Sequence, residues 1–167
     1  YIARTDGRID WLVDFPNPEK SDFGYNDFMS RIDALVMGRK TFETVLGFET
    51  WPYTKPVFVC SRQLVPDKGS RYDGKYEVVS GDPEAIVKNL SSRGLNRLYI
   101  DGGQTIGGFL RAGLIEEITL STIPVILGEG LPLFSPGMPE QKFSLKDTRT
   151  YNNGIVQNTW EIQGRKG

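Results

Sequence analysis

The sequence predicts an α/β fold, in which a mixed and mainly parallel sheet is flanked by helices and followed by a C-terminal antiparallel hairpin. Three observations carry that expectation. Short apolar segments alternate with helix-like ones through the first two thirds of the chain, the pattern of strands joined by crossover helices. Several of the apolar segments run into a glycine and then into helix-start residues. Late in the chain, two segments of strand character flank Asn152-Asn153-Gly154, residues that tolerate the positive φ a tight hairpin demands.

Taken in order, Glu19–Arg31 reads as a helix whose apolar stripe is Phe23, Tyr25, Phe28 and Met29, continued by Ile32. Asp33–Met37 is a short, nearly continuous apolar strand of the kind buried on both faces. Thr41–Leu46 suggests a short helix ended near Gly47. Pro56–Cys60 is a second buried strand and Tyr76–Val79 a shorter third. Asp82-Pro83-Glu84 is a helix start, with Asp as N-cap, Pro at the first helical position and an acid in the first turn. That helix runs to about Ser92 and stops at Gly94. Arg97–Ile100 is a strand leading into Asp101-Gly102-Gly103, and Thr105–Ala112 a helix stopped by Gly113. Glu116–Ile123 alternates like a strand, and Lys142–Thr150 with Ile155–Gln163 forms the hairpin. A mixed sheet of parallel strands with antiparallel edges fits this order.

The bulk composition removes several function classes. The chain has 167 residues, enough for one domain with a sizeable core. Its formal charge of −1 argues against a nucleic-acid groove spread over a whole face. It contains no histidine, which excludes His-dependent triads, His general bases and His-ligated metals. The single cysteine, Cys60, rules out an internal disulfide and a Cys-rich zinc site, so no metal is expected. No apolar run approaches the roughly 18 residues of a membrane helix. No signal peptide is visible, and a cytoplasmic setting is the expectation.

Three segments carry chemistry, each at the C-terminal end of a predicted strand, the edge where open α/β sheets hold ligands. In Gly38-Arg39-Lys40-Thr41 the chain turns at the glycine, passes two cations and enters a helix. A helix N-terminus with cations beside it is a phosphate seat; a solvated Arg-Lys pair on a tight turn is the plainer reading. Ser61-Arg62 offers a hydroxyl and a guanidinium to a phosphate monoester, or is simply a polar loop. Asp101-Gly102-Gly103-Gln104-Thr105 lets backbone approach a pyrophosphate at a helix start, or is merely a strand-to-helix turn. Its glycine spacing is not the Rossmann fingerprint.

Taken together, MGRKTFE, VFVCSR, LYIDGG with its helix, and LSTIPVILGEGLPLF resemble the dihydrofolate reductase superfamily. The resemblance is stronger to the branch of the C-terminal reductase domain of the bifunctional riboflavin-biosynthesis deaminase-reductase. It spans nearly the whole chain and implies a single dihydrofolate-reductase-like, three-layer α/β/α domain over residues 1–167. It also implies that a strand and turn of roughly ten to fifteen residues precede Tyr1. By the same resemblance, NADP is the cofactor: Gly38, Arg39, Lys40 and Thr41 form the phosphate turn. Ser61 and Arg62 read the adenosine 2′-phosphate, and Gly102, Gly103, Gln104, Thr105 and Ile106 cradle the pyrophosphate. Ile2 and Ala3, with the loop through Trp11, lie over the nicotinamide.

The resemblance further implies hydride transfer to a small pterin- or pyrimidine-like substrate, as in 5-amino-6-(5-phosphoribosylamino)uracil reductase. Trp11 and Ser121 are the substrate-facing candidates. Asp22 is the candidate acid, because it sits at a matching separation before Gly38; aligning through Phe28 puts another residue there, and Asp22 is then an ordinary helix N-terminal acid. Asp101 could face the pocket or form the turn. The apolar stretch Thr122–Leu127, interrupted by Pro124, is either core or the contact of a homodimer. Neither nucleic acid nor membrane is expected as a partner. Two other classes stay open: a catalytically silent NADP-binding module, and an interaction domain without ligand.

Overall fold

The computed structural model describes residues 1–66 and 68–163. The chain divides into two compact units, Asp22–Ala112 and Tyr1–Ser21 with Gly113–Gly167.

The first of these is built on four parallel strands: β1 (Ala34–Gly38), β2 (Val57–Cys60), β3 (Tyr76–Val79) and β4 (Leu98–Asp101), in the order β3-β2-β1-β4. The register pairs Leu35 with Val57 and Tyr99, and Met37 with Val59 and Asp101. Strand side chains alternate, so these residues share one face. There Leu35, Met37, Val57 and Val59 pack with Met29, Phe42 and Val45. Val36 and Phe58 point the other way, and both are buried.

Helices α2 (Tyr25–Ser30) and α3 (Arg39–Leu46) supply Met29, Phe42 and Val45 to the first face. Helices α4 (Pro83–Ser92) and α5 (Gly103–Arg111) bury Ile86, Leu90, Phe109 and Leu110. As the sequence predicts, Asp82 caps α4, its carboxylate accepting from the Ala85 N–H at 2.8 Å behind Pro83. α2 is shorter than its periodicity suggests. Lys20, Phe23 and Gly24 all take positive φ, and the Asp22 carboxylate accepts from the Gly24 and Asn26 N–H groups. Local side-chain-to-backbone bonding has displaced the first helical turn. Conversely, α3 and α5 each begin two residues earlier than expected, at Arg39 and Gly103.

The other unit contains an antiparallel sheet, β5 (Glu117–Thr122), β6 (Phe143–Thr150) and β7 (Val156–Ile162), in the order β5-β7-β6. The parallel and antiparallel strands thus form two sheets, four strands and three. β6 and β7 are joined through the expected turn: Gly154 has φ 88°, and its N–H donates to Tyr151 O at 2.8 Å. A bulge lies between Leu145 and Asp147. Residues Asp10–Val13, read from the sequence as loop, form a single helical turn, α1. Ala3 bridges Leu131, Ile2 N–H donating to Leu131 O at 2.8 Å and Leu131 N–H to Ala3 O at 2.9 Å.

Candidate cofactor and substrate site

Parallel pairing fixes where three of the chemistry-bearing turns emerge. Gly38 lies beside Cys60, and Met37 beside Asp101. The turns after β1, β2 and β4 therefore leave one edge of one sheet, the carboxyl edge, at the same level. Gly38–Thr41, Ser61–Arg62 and Gly102–Ile106 are brought together there.

Two of these turns are helix starts that interlock. Gly38 is the N-cap of α3 and Gly102 that of α5, and no side chain caps either helix. A β-carbon on Gly38 would lie 2.5 Å from Thr105 Oγ1, and one on Gly102 would collide with Thr41 Oγ1. Thr41 and Thr105 each occupy the third position of their helix, so each cap glycine faces the other helix's threonine. The glycines let the two N-termini sit side by side. Their first-turn N–H groups lack intrahelical acceptors, and their positive dipole ends add. Gly102 also has φ 91°, a backbone state that favours glycine.

The cations around this edge are accessible. Arg39 and Lys40 are exposed in the first turn of α3, Arg39 with its Nε 3.6 Å from Glu43 Oε1. Arg62 is exposed and makes no ion pair with any described residue. Ser61 Oγ accepts from the N–H groups of Gln63 at 3.2 Å and Leu64 at 2.9 Å. This shapes the loop and leaves the hydroxyl proton free. Cys60 is half-buried, and burial pushes its thiol up to about 11, which keeps it a neutral, weakly reactive thiol.

Beside Gly102 stands Asp101. Its Oδ1 accepts from the Gly102 N–H at 2.8 Å, while burial pushes its carboxyl above the usual range. Tyr25, Tyr53 and Tyr99 all feel its charge, and all three phenols are raised, by burial first and Asp101 second. Tyr25 and Tyr53 are neighbours of Asp101 that the sequence reading does not single out. Nothing local ties residues 25, 53 and 101, and only Tyr25's place on the apolar stripe hinted at an inward face.

Asp22 is placed differently. Its carboxylate is exposed and held below the usual range, first by the Asn26 and then by the Gly24 N–H. That environment favours the anion that orders the start of α2.

The remaining candidates belong to the other unit. Ile2 and Ala3 are held by the bridge to Leu131. Gly130 makes the close approach possible, since a β-carbon there would strike the Ala3 carbonyl oxygen. Arg4 and Asp10 brace the following turn, Nη2 to Oδ2 at 2.8 Å. Trp11 lies on α1, its indole N–H buried with no acceptor among the described residues. Ser121 is exposed on β5, its Oγ accepting from Gln157 Nε2 at 3.0 Å. Among the described residues no cluster of three or more metal-ligating side chains occurs, and no helix is long and apolar enough to cross a membrane.

A parallel sheet with two glycine-capped helix starts meeting at its carboxyl edge is the architecture of the reductase-like α/β folds of the dihydrofolate reductase superfamily. Residues 1–157 match the RibD C-terminal domain, and the chain belongs to that family. It is 32% identical over 157 residues to the uncharacterized protein YwjB of Bacillus subtilis, covering 92% of this chain and 87% of YwjB. Among solved structures, a putative riboflavin biosynthesis protein from Shewanella sp. PV-4 superposes with a TM-score of 0.90 at 39% identity. That match covers 98% of this chain and 93% of the other. The diaminohydroxyphosphoribosylaminopyrimidine deaminase/5-amino-6-(5-phosphoribosylamino)uracil reductase of Thermotoga maritima shares the fold, with a TM-score of 0.74 at 15% identity. There the match covers 96% of this chain and 52% of that one.

Proposed function

We propose that this protein is an NADPH-dependent reductase of a small heterocyclic, pterin- or pyrimidine-like substrate. The observation that carries the reading is the meeting of two uncapped helix N-termini, at Gly38 and Gly102, beside the exposed Arg62 on one sheet edge. A dinucleotide needs such a seat: N–H groups for its pyrophosphate and a cation for its outlying phosphate. Family membership supports the same reading.

In this proposal the first-turn N–H groups of α3 and α5 hold the pyrophosphate. Arg39 and Lys40 add charge beside it. Ser61 and Arg62 hold the 2′-phosphate, the hydroxyl as donor and the guanidinium as a two-pronged partner. NADPH, when bound, supplies hydride. The protein supplies orientation and a proton. Asp101, at the floor of the same edge, is suited to the proton because burial favours its neutral form. We further propose a homodimer joined through Thr122–Leu127, where Val125 is 42% and Ile126 97% exposed.

Thermal unfolding with added NADPH tests the cofactor. A ligand bound only by the native state stabilises it by about 2.7 kcal/mol at a hundredfold excess over Kd, so Tm rises, and rises less with NADH. An unchanged Tm refutes the reading. Loss of NADPH absorbance with a panel of pterins and pyrimidines then tests turnover. Stabilisation without oxidation by any of them identifies a silent NADP-binding module.

A further inference from the structure

The turn between β6 and β7 also holds a distant stretch of chain. Asn152 Nδ2 donates to Glu19 Oε1 at 2.6 Å, and Asn153 Nδ2 donates to the Pro16 carbonyl oxygen at 2.9 Å. Pro16 and Glu19 lie in the same compact unit as the hairpin, in the stretch that follows α1. The beginning of α1 is braced separately, by Arg4 and Asp10 at 2.8 Å. The two asparagine amides thus tie down what comes after the helix.

Asn153 is the only asparagine in the chain followed by glycine. Gly154 is exposed and has no side chain to shield its nitrogen. Asn153 Oδ1 accepts from the Ile155 N–H at 3.3 Å, an Asx turn that curls the side chain forward past the Gly154 nitrogen. The same N–H points at the oxygen where charge would gather during attack on Cγ, and a donor so placed stabilises an oxyanion. One contact opposes the attack: the Gly154 N–H donates to Tyr151 O at 2.8 Å. The nitrogen is free only when that bond opens, so the reaction is slow and accumulates as the protein ages.

We propose that Asn153 is a self-modification site: its amide is lost through attack by the Gly154 nitrogen, and the loss frees Pro16–Glu19 from the hairpin. The proposal is independent of what the carboxyl edge of the parallel sheet binds. Hydroxide takes the Gly154 N–H proton, and the nitrogen forms a bond to Asn153 Cγ. The carbonyl π pair moves onto Oδ1 and returns as the Cγ–Nδ2 bond breaks. Nδ2 takes a proton from water and leaves as ammonia, which regenerates the hydroxide. Water then opens the cyclic imide, at one carbonyl to an aspartate and at the other to its β-linked isomer. Nothing is oxidised or reduced. Either product lacks the donor that held the Pro16 oxygen. Either also adds a negative charge one residue from Asn152, the partner of Glu19, and like charges repel there.

The test is ageing of the intact chain above neutral pH in water enriched in heavy oxygen, followed by proteolysis and mass spectrometry. The peptide holding Asn152–Gly154 should gain the mass of an amide-to-acid conversion with one heavy oxygen, placed at position 153 by fragmentation. The rate should rise with hydroxide concentration. An amide at 153 that survives ageing in the folded chain overturns the proposal, and conversion in denaturant alone assigns a protecting role to the bond between Gly154 and Tyr151. Hydrogen exchange tests the release. In aged wild type and in Asn153→Asp, amides of residues 14–21 should exchange about 2- to 10-fold faster, the factor expected for one lost hydrogen bond. The aged wild type decides this even if the variant folds poorly. Unchanged exchange with position 153 converted, or acceleration spread over the whole chain, overturns a local release.

Discussion

Gly38 and Thr105 approach so closely that a β-carbon on the glycine would lie 2.5 Å from the threonine hydroxyl oxygen. The pair locks the start of α3 against the start of α5, and Gly102 against Thr41 repeats the contact with the roles exchanged. Two helix dipoles are thereby aimed at one place, an arrangement that costs repulsion unless an anion sits there.

Gly38→Ala should therefore cost about 1–3 kcal/mol of stability, the usual penalty for overpacking, and weaken NADPH binding by separating the two helix starts. Gly102→Ala carries the same collision plus a left-handed backbone at φ 91°, and should cost more. Denaturant melts and NADPH titrations check both. A neutral Gly38→Ala would show that Thr105 simply turns aside.

Arg62→Ala should weaken NADPH far more than NADH, by about 1.5–3 kcal/mol for a lost charged hydrogen-bonding partner. Fluorescence titration with the two cofactors measures the difference. Equal losses would remove Arg62 from the 2′-phosphate.

Asp101 yields a prediction about pH. Its pKa is raised in the folded state, chiefly by burial. The stability associated with its neutral form is thus fully present below the unfolded-state value and is lost as pH rises through the folded-state value. Asp101→Asn, which stays neutral, should match the wild type near pH 3 and become relatively more stable above that window. Tm measured against pH shows it, and a constant difference between the two proteins at all pH values would contradict it.

Ile126→Asp should convert the proposed dimer to a monomer, because a charge cannot be buried unpaired in an apolar contact. Sedimentation velocity distinguishes the species. A wild type that is already monomeric at micromolar concentration ends the proposal.

Local chemistry made much of this legible beforehand. The strand Tyr76–Val79, the cap at Asp82, the hairpin at Asn152–Gly154 and the apolar run before Gly38 each depend on residues adjacent in the chain. Propensity, capping and turn preference act at that range. The start of α2 was misread because Asp22 and Asn17 bond nearby backbone or chain groups, a competition that apolar periodicity does not register. The early starts of α3 and α5 were missed because both caps are glycines with no capping side chain to announce them.

Sequence alone thus determined the α/β class, the order of its elements and three candidate phosphate-seeking turns, since each is written in neighbouring residues. Only the tertiary structure decided that Gly38 meets Thr105, that Gly102 meets Thr41, and that Asp101 shares a face with Tyr99 beneath α2. Those relations arise from parallel strand register and helix packing, which join residues far apart in the chain by contacts that no local preference encodes.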